Sequence, residues 1–246
     1  MRWYTADLHI HTCLSPCGDL LMSPKKIVAE AAARKLEIIA ITDHNSAMNV
    51  SAVTNAASEI GIVVLPGMEV CTREEVHVLT IFDNIPAAME LQKTVYLHLR
   101  GKNDPQAFGD QVIANEYDEV EGFEPRLLIG ATDITIENLV STVNQLHGLA
   151  IASHIDRESF SVIGQLGFIP DTVQFDALEI SANTSDEDAS ARFRSYSQYP
   201  FIRNSDAHFL NDIGKQKSRF FIEEATVQEI ADALRNENRR MIQTVN

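Results

Sequence analysis

Residues 38–44, Ile38-Ile39-Ala40-Ile41-Thr42-Asp43-His44, join an uninterrupted apolar run directly to a carboxylate and an imidazole. The apolar run predicts a β-strand that is buried on both faces, because strands of a parallel sheet covered by helices are apolar throughout. A charged carboxylate is costly to bury without a partner. Asp43 and His44 are therefore expected to emerge where the strand ends, at the mouth of a barrel.

Histidines and carboxylates recur at the ends of other predicted strands. Residues two apart in a strand point to the same side, so we expect Asp7, His9 and His11 to share one face, with Leu8 and Ile10 on the other. Asp7 is then placed to accept a proton from a histidine nitrogen and fix its tautomer. The remaining clusters are Glu69 with His77, His154-Ile155-Asp156 and Asp206-Ala207-His208.

These clusters together predict a multinuclear metal site. Any one of them is more often structural than a metal site, but five at five strand ends are not independent accidents. Imidazole and carboxylate ligands together suit zinc, manganese and iron, and do not choose among them. The two other histidines, His98 and His147, fall within predicted helices without a carboxylate cluster, and we expect them to be surface or packing residues.

Short β-branched runs alternate with helical stretches, which is typical of βαβ units and a parallel sheet. The predicted strands are 4–10, 38–42, 62–65, 76–82, 149–153, 177–180, 201–204 and, as the last strand, 219–222. The predicted helices are 24–34, 47–60, 86–100, 136–146 and 226–240, the last opened by a capping box of Thr226 and Glu229. Pro66, Gly67 and Met68 are predicted to form a turn before Glu69. A closed or partly closed α/β barrel follows.

The alternation of predicted strands and helices is interrupted between residues 84 and 134, where a helical segment is followed by a polar stretch rich in glycine and proline. We interpret residues 84–134 as an insertion that folds as a small subdomain over the catalytic face, and residues 1–83 and 135–246 as the barrel domain. A disordered excursion is the alternative for the insertion.

The composition limits the classes of function. The chain has 246 residues, 45% of them hydrophobic, and 20 basic against 35 acidic residues give a formal charge of −15. Extended nucleic-acid binding is disfavoured because it requires a basic surface. We expect no membrane span and no signal sequence, hence a cytoplasmic protein. Three cysteines, Cys13, Cys17 and Cys71, predict reduced thiols rather than a disulfide framework; Cys13 and Cys17 are expected to pack in a loop, with a role as soft ligands or a redox pair as the alternative.

Six ordered blocks carry a resemblance to a known family: D-L-H-I-H-T (7–12), I-T-D-H-N (41–45), P-G-M-E (66–69), V-H-V-L (76–79), S-H-I-D (153–156) and N-S-D-A-H (204–208). In content and order they resemble the motifs of the PHP family, named for polymerase and histidinol phosphatase. The resemblance implies a distorted (β/α)7 TIM-like barrel, here with an inserted small subdomain, and a cluster of two to three divalent metal ions at the carboxyl ends of the strands.

Carried over residue by residue, the resemblance implies that one ion is held by His9, His11, Glu69 and Asp206. Glu69 would bridge to a second ion held by His77 and His154, and His44 and His208 would hold the third. Members of the family usually supply one more ligand to the third ion shortly after the first motif. Here Asp19 is the candidate, at a longer spacing than in some members.

The leading hypothesis is a metal-dependent phosphatase acting on a small phosphomonoester, such as a nucleotide or histidinol phosphate. A water that bridges two divalent ions loses its proton near neutral pH, and the hydroxide can attack phosphorus in line. Asp43 or Asp156 would protonate the leaving group or orient a histidine. Arg157 is the first candidate for a phosphate contact, followed by Arg203 and Lys215. The alternatives are a phosphodiesterase or nuclease on short oligonucleotides and a non-catalytic metal-binding regulatory module; oligomeric state stays open.

Overall fold

The computed structural model describes residues 1–245 as a mixed α/β fold. Its strands are β1 (Arg2–Ile10), β2 (Ile38–Ile41), β3 (Val63–Cys71), β4 (His77–Ile81), β5 (Val112–Ala114), β6 (Val120–Phe123), β7 (Leu149–Ala152), β8 (Ala177–Glu179), β9 (Phe201–Ile202), β10 (Lys217–Ile222) and β11 (Met241–Val245). Its helices are α1 (Pro24–Ala33), α2 (Val50–Ala57), α3 (Ile85–His98), α4 (Pro105–Phe108), α5 (Ile136–Gln145), α6 (Val162–Leu166), α7 (Asp186–Arg192) and α8 (Val227–Leu234).

Nine strands form one curved sheet in the order β11-β10-β1-β2-β3-β4-β7-β8-β9. Beyond β9, Ala207 reaches the far end of β1: its carbonyl accepts from the His11 amide at 3.0 Å, and its amide donates to the His9 carbonyl at 3.1 Å. The sheet is thereby nearly closed, which confirms the predicted TIM-like barrel. Among residues 1–245, no helix is long and apolar enough to cross a membrane.

Strand β4 pairs antiparallel with both β3 and β7. The pairs β1-β2, β2-β3, β7-β8 and β8-β9 are parallel. Because β4 runs against its neighbours, its first residue lies at the rim where theirs end, and His77 pairs with Cys71 at the end of β3. A histidine at a strand start thus reaches the same edge as histidines that follow strand ends.

The predicted turn at Pro66, Gly67 and Met68 is wrong, because all three continue β3. Pro66 lies beside Ile41 of β2, and its carbonyl accepts from the Phe82 amide at 2.8 Å. Gly67 pairs with Ile81 of the antiparallel neighbour, where a side chain would not fit. Because β3 extends to Cys71, it places Glu69 at the rim of the sheet, between β2 and β4.

Two hydrophobic clusters cover the two faces of the sheet. Ile38 and Ala40 belong to the cluster that joins strand residues to α8, whereas Ile39 and Ile41 belong to the larger cluster beneath α1, α2, α3 and α5. All four are fully buried, which confirms that β2 is buried on both faces. In β1 the pairing with β2 shifts register between Asp7 and Ile10. The expectation that Leu8 and Ile10 share one face is wrong, because Leu8 belongs to the cluster with α8 and Ile10 to the larger one.

The segment 84–134 contains two different structures. Helix α3 contributes Ala88, Leu91 and Val95 to the large cluster under the outer helices. Strands β5 and β6 form a separate two-stranded sheet, held to the barrel where the Val112 amide donates to the Cys13 carbonyl at 3.0 Å. The division of the chain at residues 84 and 134 stays a prediction.

The end of the chain differs from the predicted one. The N-cap is confirmed, since the Thr226 hydroxyl accepts from the Glu229 amide. The other half of the predicted capping box is not formed, because the Glu229 carboxylate accepts from the Glu223 amide and the Thr226 amide donates to the Glu224 carbonyl. Helix α8 ends at Leu234 instead of continuing to residue 240. Residues with positive φ then turn the chain, among them Asn236 and Asn238, so that β11 can pair antiparallel with β10. β10 is therefore not the last strand.

Substituting Gly67 by alanine is expected to destabilise the fold by roughly 1–3 kcal/mol, the usual cost of overpacking. An added Cβ would lie 2.5 Å from the Thr80 carbonyl oxygen, which is backbone and has little freedom to move. Urea unfolding followed by circular dichroism measures the change. Gly122→Ala is the matched control, because nothing lies within 4 Å of its Cβ position; equal midpoints for both variants would contradict the tight packing at Gly67.

Candidate metal centre

Glu69 lies at the centre of a cluster of imidazoles. Its Oε1 is 3.4 Å from His9 Nε2, 3.2 Å from His77 Nδ1 and 3.3 Å from His154 Nε2. Its Oε2 is 3.2 Å from His44 Nδ1 and 3.6 Å from His11 Nε2. All six side chains are buried, and they come from β1, from the residues after β1, β2 and β7, from β3 and from the start of β4.

A second carboxylate, Asp206, completes the cluster from the side of β9. Its Oδ1 lies 3.2 Å from His9 Nε2 and 3.3 Å from His11 Nε2. Asp206 and His154 have φ angles of 50° and 29°, a left-handed conformation that is uncommon outside glycine. The His154 amide is held in this conformation by a hydrogen bond to Glu179 at 3.0 Å. The backbone turns here because it must aim both side chains into the cluster.

The hydrogen-bond partners of His9 and His11 decide which ring nitrogens carry protons. His9 Nδ1 lies 3.1 Å from both oxygens of Glu179, so that nitrogen donates. His11 Nδ1 lies 2.9 Å from the Ser15 hydroxyl, which already donates its own proton to Asp43 and must therefore accept. In the neutral rings both Nε2 atoms then carry a lone pair and face the interior of the cluster.

The arrangement fits divalent metal ions. The two Nε2 lone pairs are only 3.1 Å apart, and Glu69 Oε1 is buried without a hydrogen bond. Without a metal ion, and against the effect of burial, the charges of Glu179, Asp206 and Glu69 hold the pKa of His9 well above its usual value, so a proton shared between the two rings relieves the first feature. A divalent cation bound between the atoms relieves both. Ligand atoms bound about 2.1 Å from one tetrahedral ion are roughly 3.4 Å apart, which is the spacing around Glu69. The ligand atoms fall into three groups, each within 4.8 Å: His9, His11 and Asp206; His44, Glu69 and His77; His11, His44 and His208.

The electrostatics of the cluster also favour cation binding. Burial raises the pKa of Glu69, but the charges of His77 and His9 outweigh it and hold the pKa well below its usual value. The pKa of Asp206 is likewise well lowered, against burial, by His9 and His11. Burial, aided by the charge of His208, lowers the pKa of His11 to about 4. Anionic carboxylates and a neutral imidazole are the forms that bind a metal at neutral pH.

A cavity of about 530 Å³ opens over the cluster. Its floor includes Glu69 and His77, and its rim includes Arg157, Phe160 and Ile129. Arg157 is the one lysine or arginine among residues 1–245 that lines this cavity. Its Nη2 donates to Asp206 Oδ2 at 2.6 Å, which anchors the guanidinium beside the cluster while 40% of the side chain stays accessible.

Two family models match the chain. The model described as PHP domain matches residues 7–124, and the model described as PHP-associated matches residues 185–238. The two ranges together take up well over half of the sequence and include most of the cluster residues. The chain belongs to the PHP family. The predicted resemblance is thereby confirmed.

Three curated relatives match part of this PHP chain. They are the uncharacterized protein YqxK of Bacillus subtilis, 32% identical over 43% of this chain, the uncharacterized protein MJ1587 of Methanocaldococcus jannaschii, 32% identical over 37%, and a 5′-3′ exoribonuclease of Haemophilus influenzae, 30% identical over 46%. The matched regions are 28%, 58% and 42% of those proteins. The similarity thus covers less than two thirds of each relative.

Solved structures show the same fold at low sequence identity. The lesion-specific endonuclease PfuEndoQ of Pyrococcus furiosus has a TM-score of 0.73 and 20% identity, over 98% of this chain and 57% of that chain. A putative metal-dependent phosphoesterase of Bifidobacterium adolescentis has a TM-score of 0.56 and 17% identity, over 83% of this chain and 87% of that chain. These similarities show that the fold is shared over 98% and 83% of this chain, respectively.

The structure brings eight of the nine predicted metal ligands together at the rim of the PHP barrel: His9, His11, His44, Glu69, His77, His154, Asp206 and His208. Their grouping differs from the predicted one. Glu69 is grouped with His44 and His77 instead of with His9, His11 and Asp206. His11 also joins His44 and His208, and His154 belongs to none of the three groups. Asp19 belongs to none of the three groups. Its Oδ1 accepts from the Leu21 amide at 2.7 Å, and its own amide donates to the His208 carbonyl. The ligand sets of individual ions stay predictions.

The three remaining carboxylates of the predicted clusters are occupied by hydroxyl and amide donors. Asp43 accepts from Thr12 and Ser15, and Asp156 accepts from Ser181 and Thr184. These contacts favour the orienting role over proton donation: Asp43 holds Ser15, which in turn holds His11. Proton transfer by either residue stays a prediction.

The predicted role of Asp7 is wrong. Its oxygens accept from the amides of Ser205, Gly214 and His9 and from the Ser205 hydroxyl, and within residues 1–245 they form no hydrogen bond to an imidazole ring. The register shift in β1 turns Asp7 away from His9 and His11. Asp7 therefore fixes the loop that carries Asp206. Burial raises its pKa to about 6.

Two of the three cationic candidates do not reach the cavity. Arg203 is buried and donates to Asp186 and to the carbonyls of Ser181 and Thr184, so it supports the fold. Lys215 is paired with Asp212 on the surface.

The three cysteines are free thiols. Cys13 is buried in a small apolar cluster with Val112 and Ala114, as expected of a packing residue. Cys17 differs, because it is exposed and lines the cavity.

The sequence reasoning missed Glu179. This buried carboxylate at the end of β8 contacts His9 Nδ1 with both oxygens, and it accepts from the His154 amide at 3.0 Å and from Asn204 at 2.7 Å. The signal was a single acidic residue closing an apolar strand, the same pattern as Asp43. Glu179 holds two of the candidate ligands at once.

Glu179→Gln is expected to weaken metal binding by roughly 10–100-fold, the usual effect of losing a carboxylate that orients a ligating histidine. The amide would present a donor group toward His9 Nδ1, which itself donates. Titration of the metal-free protein with Zn²⁺ or Mn²⁺ measures the change. Glu90→Gln, on the exposed face of α3, is the control; an unchanged affinity in Glu179→Gln would show that Glu179 does not orient a ligand.

Proposed function

We propose that this PHP protein hydrolyses a small phosphomonoester with the help of two to three divalent metal ions, zinc, manganese or iron. The observation that carries the proposal is the buried Glu69 and Asp206 cluster, with imidazole lone pairs aimed inward, beneath a cavity that has an arginine on its rim. Divalent ions bound there would supply an activated water and neutralise charge on the phosphate oxygens.

The protein's own residues would bind and orient the substrate. Arg157 is anchored by Asp206 and keeps part of its guanidinium accessible, so it can donate to a phosphate oxygen that points away from the metal ligands. Arginine suits this task because its planar group donates in pairs to phosphate. Glu179 and Ser15 keep the rings of His9 and His11 in fixed tautomers during turnover.

The size of the cavity and the net charge of the chain favour a small substrate. The cavity of about 530 Å³ lies in the usual range for small-molecule sites, roughly 300–1,000 Å³. A formal charge of −15 disfavours long contacts with a nucleic-acid backbone. The free cysteines suit a reducing compartment, and we propose that the protein acts in the cytoplasm.

Phosphodiester cleavage on short oligonucleotides is the second candidate. It is favoured by the relatives, since one is named a 5′-3′ exoribonuclease, and a structure of endonuclease Q in complex with a 27-mer duplex has a TM-score of 0.73 to this chain. The same metal cluster can cleave a diester if the cavity admits the chain on both sides of the phosphate.

A substrate panel separates the two candidates. Metal-depleted protein is expected to be inactive, and addition of Mn²⁺, Zn²⁺ or Fe²⁺ should release phosphate from nucleoside monophosphates, histidinol phosphate or glycerol phosphate. Cleavage confined to bis-p-nitrophenyl phosphate or a short oligomer would favour the second candidate. Absence of turnover on every ester would leave only a non-catalytic metal-binding role. Full activity in His9→Ala or Asp206→Ala would rule out the metal-dependent mechanism.

Arg157→Gln is expected to lower kcat/KM by roughly 100-fold, because it removes a charged donor to the phosphate oxygens. Metal content should stay unchanged, since the Arg157 side chain pairs with Oδ2 of Asp206, the oxygen that does not face His9 and His11, and the backbone contact of Arg157 to the His154 carbonyl is kept in the variant. Steady-state kinetics and metal analysis test both points. Lys215→Gln is the control, as this side chain is cationic but pairs with Asp212 away from the cavity. An equal loss in both variants would indicate a general effect of charge instead of a phosphate contact.

A further inference from the structure

An aromatic ring stands on the rim of the metal cavity in a position that packing alone does not explain. Phe160 lines the cavity, and 40% of its surface is exposed. One contact of its ring is known: it stacks on the imidazole of His77 with the centroids 4.6 Å apart and an angle of 19° between the planes. Single exposed apolar side chains are normal on protein surfaces, and it is the contiguous ones that mark binding sites; Phe160 is informative because it lines the cavity together with a second exposed apolar side chain, Ile129.

The backbone holds Phe160 in this place against its local preference. Its φ angle is 59°, a left-handed conformation that is an outlier for a bulky residue. The Phe160 carbonyl accepts from the His77 amide at 2.8 Å, and the next residue, Ser161, donates to the Arg157 carbonyl at 2.6 Å and accepts from the Gly164 amide at 2.9 Å. Such over-determined conformations cluster at ligand-binding sites.

A second apolar side chain on the same cavity is fixed in a similar way. Ile129 is 36% exposed and lies between Leu128 and Gly130. The side chain of Asn45 donates to the carbonyls of both neighbours, at 2.7 and 2.8 Å. Asn45 directly follows the candidate ligand His44, so the position of Ile129 is tied to the metal cluster.

The cavity therefore has two parts of opposite character. Its floor is the cluster around Glu69, next to Arg157, and suits a phosphate. Its rim presents a pre-positioned aromatic ring and a branched aliphatic side chain, and is free of lysine and arginine apart from Arg157 among the described residues. Rigid aromatic surface binds planar rings by stacking without demanding a particular hydrogen-bond pattern.

We propose that Phe160 and Ile129 form a subsite for a planar aromatic ring attached to the phosphate, of the nucleobase kind, and that Phe160 determines the preference for such substrates. The inference rests on the proposed phosphoesterase function, because that function puts the phosphate over the cluster. The proposed subsite restricts the substrates from small phosphomonoesters in general to those that carry an aromatic ring next to the phosphate.

Binding of two non-hydrolysable probes to the metal-loaded protein tests the proposal. One probe is the methylenephosphonate analogue of adenosine 5′-monophosphate, and the other is propylphosphonate, which has no ring. Calorimetric titration of the wild type should show at least about tenfold tighter binding of the nucleoside probe. Phe160→Ala and Phe160→Leu should lose most of this preference and bind propylphosphonate as before, whereas Phe160→Tyr should keep it.

The controls separate the subsite from other roles of the ring. Phe168→Ala removes another exposed phenylalanine, 57% accessible against 40% for Phe160, that does not line the cavity, and the preference of this variant should be unchanged. Equal weakening of both probes in Phe160→Ala would mean that the ring only supports His77 and would overturn the subsite. A wild type that binds both probes equally would overturn it as well, while leaving the phosphoesterase function intact. Binding of neither probe would count against both proposals.

Discussion

The structure depends on one buried carboxylate, Glu69, surrounded by five imidazoles. Burying an ionised group alone is prohibitive, and each imidazole nitrogen within 3.2–3.6 Å of it reduces that cost. The geometry of the barrel serves this contact. β3 must pass through the centre of the rim, which requires Gly67 to lie close to the backbone of β4, and β4 must run backwards so that its first residue, His77, arrives beside Glu69.

Around this contact lies a layer of hydrogen bonds that fixes the direction of each ring. Glu179 ties His9 to His154, and Ser15 and Asp43 tie His11 to the loop after β2. Since metal sites tolerate little misplacement of their ligands, these outer groups are expected to matter almost as much as the ligands themselves. The layer also contributes to the left-handed backbone at His154, whose amide is held by Glu179 from outside while its side chain faces inward.

The sequence predicts those parts of the fold in which the local residue pattern alone determines where a residue lies in the structure. The apolar run of β2 and the histidines at strand ends can be read directly, since they follow from burial and from the geometry of parallel strands. Three features are decided only by contacts across the fold. β11 follows a turn of ordinary polar residues and forms because it can pair with the edge of β10. Arg203 is a candidate phosphate ligand by sequence, but in the fold it is bound by Asp186 and two carbonyls. Glu179 is a single carboxylate in a three-residue strand, and its role depends on contacts across the fold.

The buried carboxylates divide into two classes by the nature of their donors. Asp7 and Asp43 receive neutral amides and hydroxyls, and burial raises the pKa of each; they hold loops together and need no positive charge nearby. Glu69 and Asp206 are instead faced by imidazoles, which outweigh burial and keep the pKa of each far below its usual value. Glu179 accepts from amides, as Asp7 and Asp43 do, but it also faces the imidazole of His9. The charge of His9 lowers the pKa of Glu179 against burial, so Glu179 belongs with Glu69 and Asp206. The direction of the shift follows the donors in these five carboxylates. It is not a general marker, since Asp156 accepts from amide and hydroxyl donors and its pKa is lowered by these hydrogen bonds against burial. Positive charge is what a cluster of metal ions supplies, so the second class marks where the ions would be held and the first class marks what keeps that place rigid.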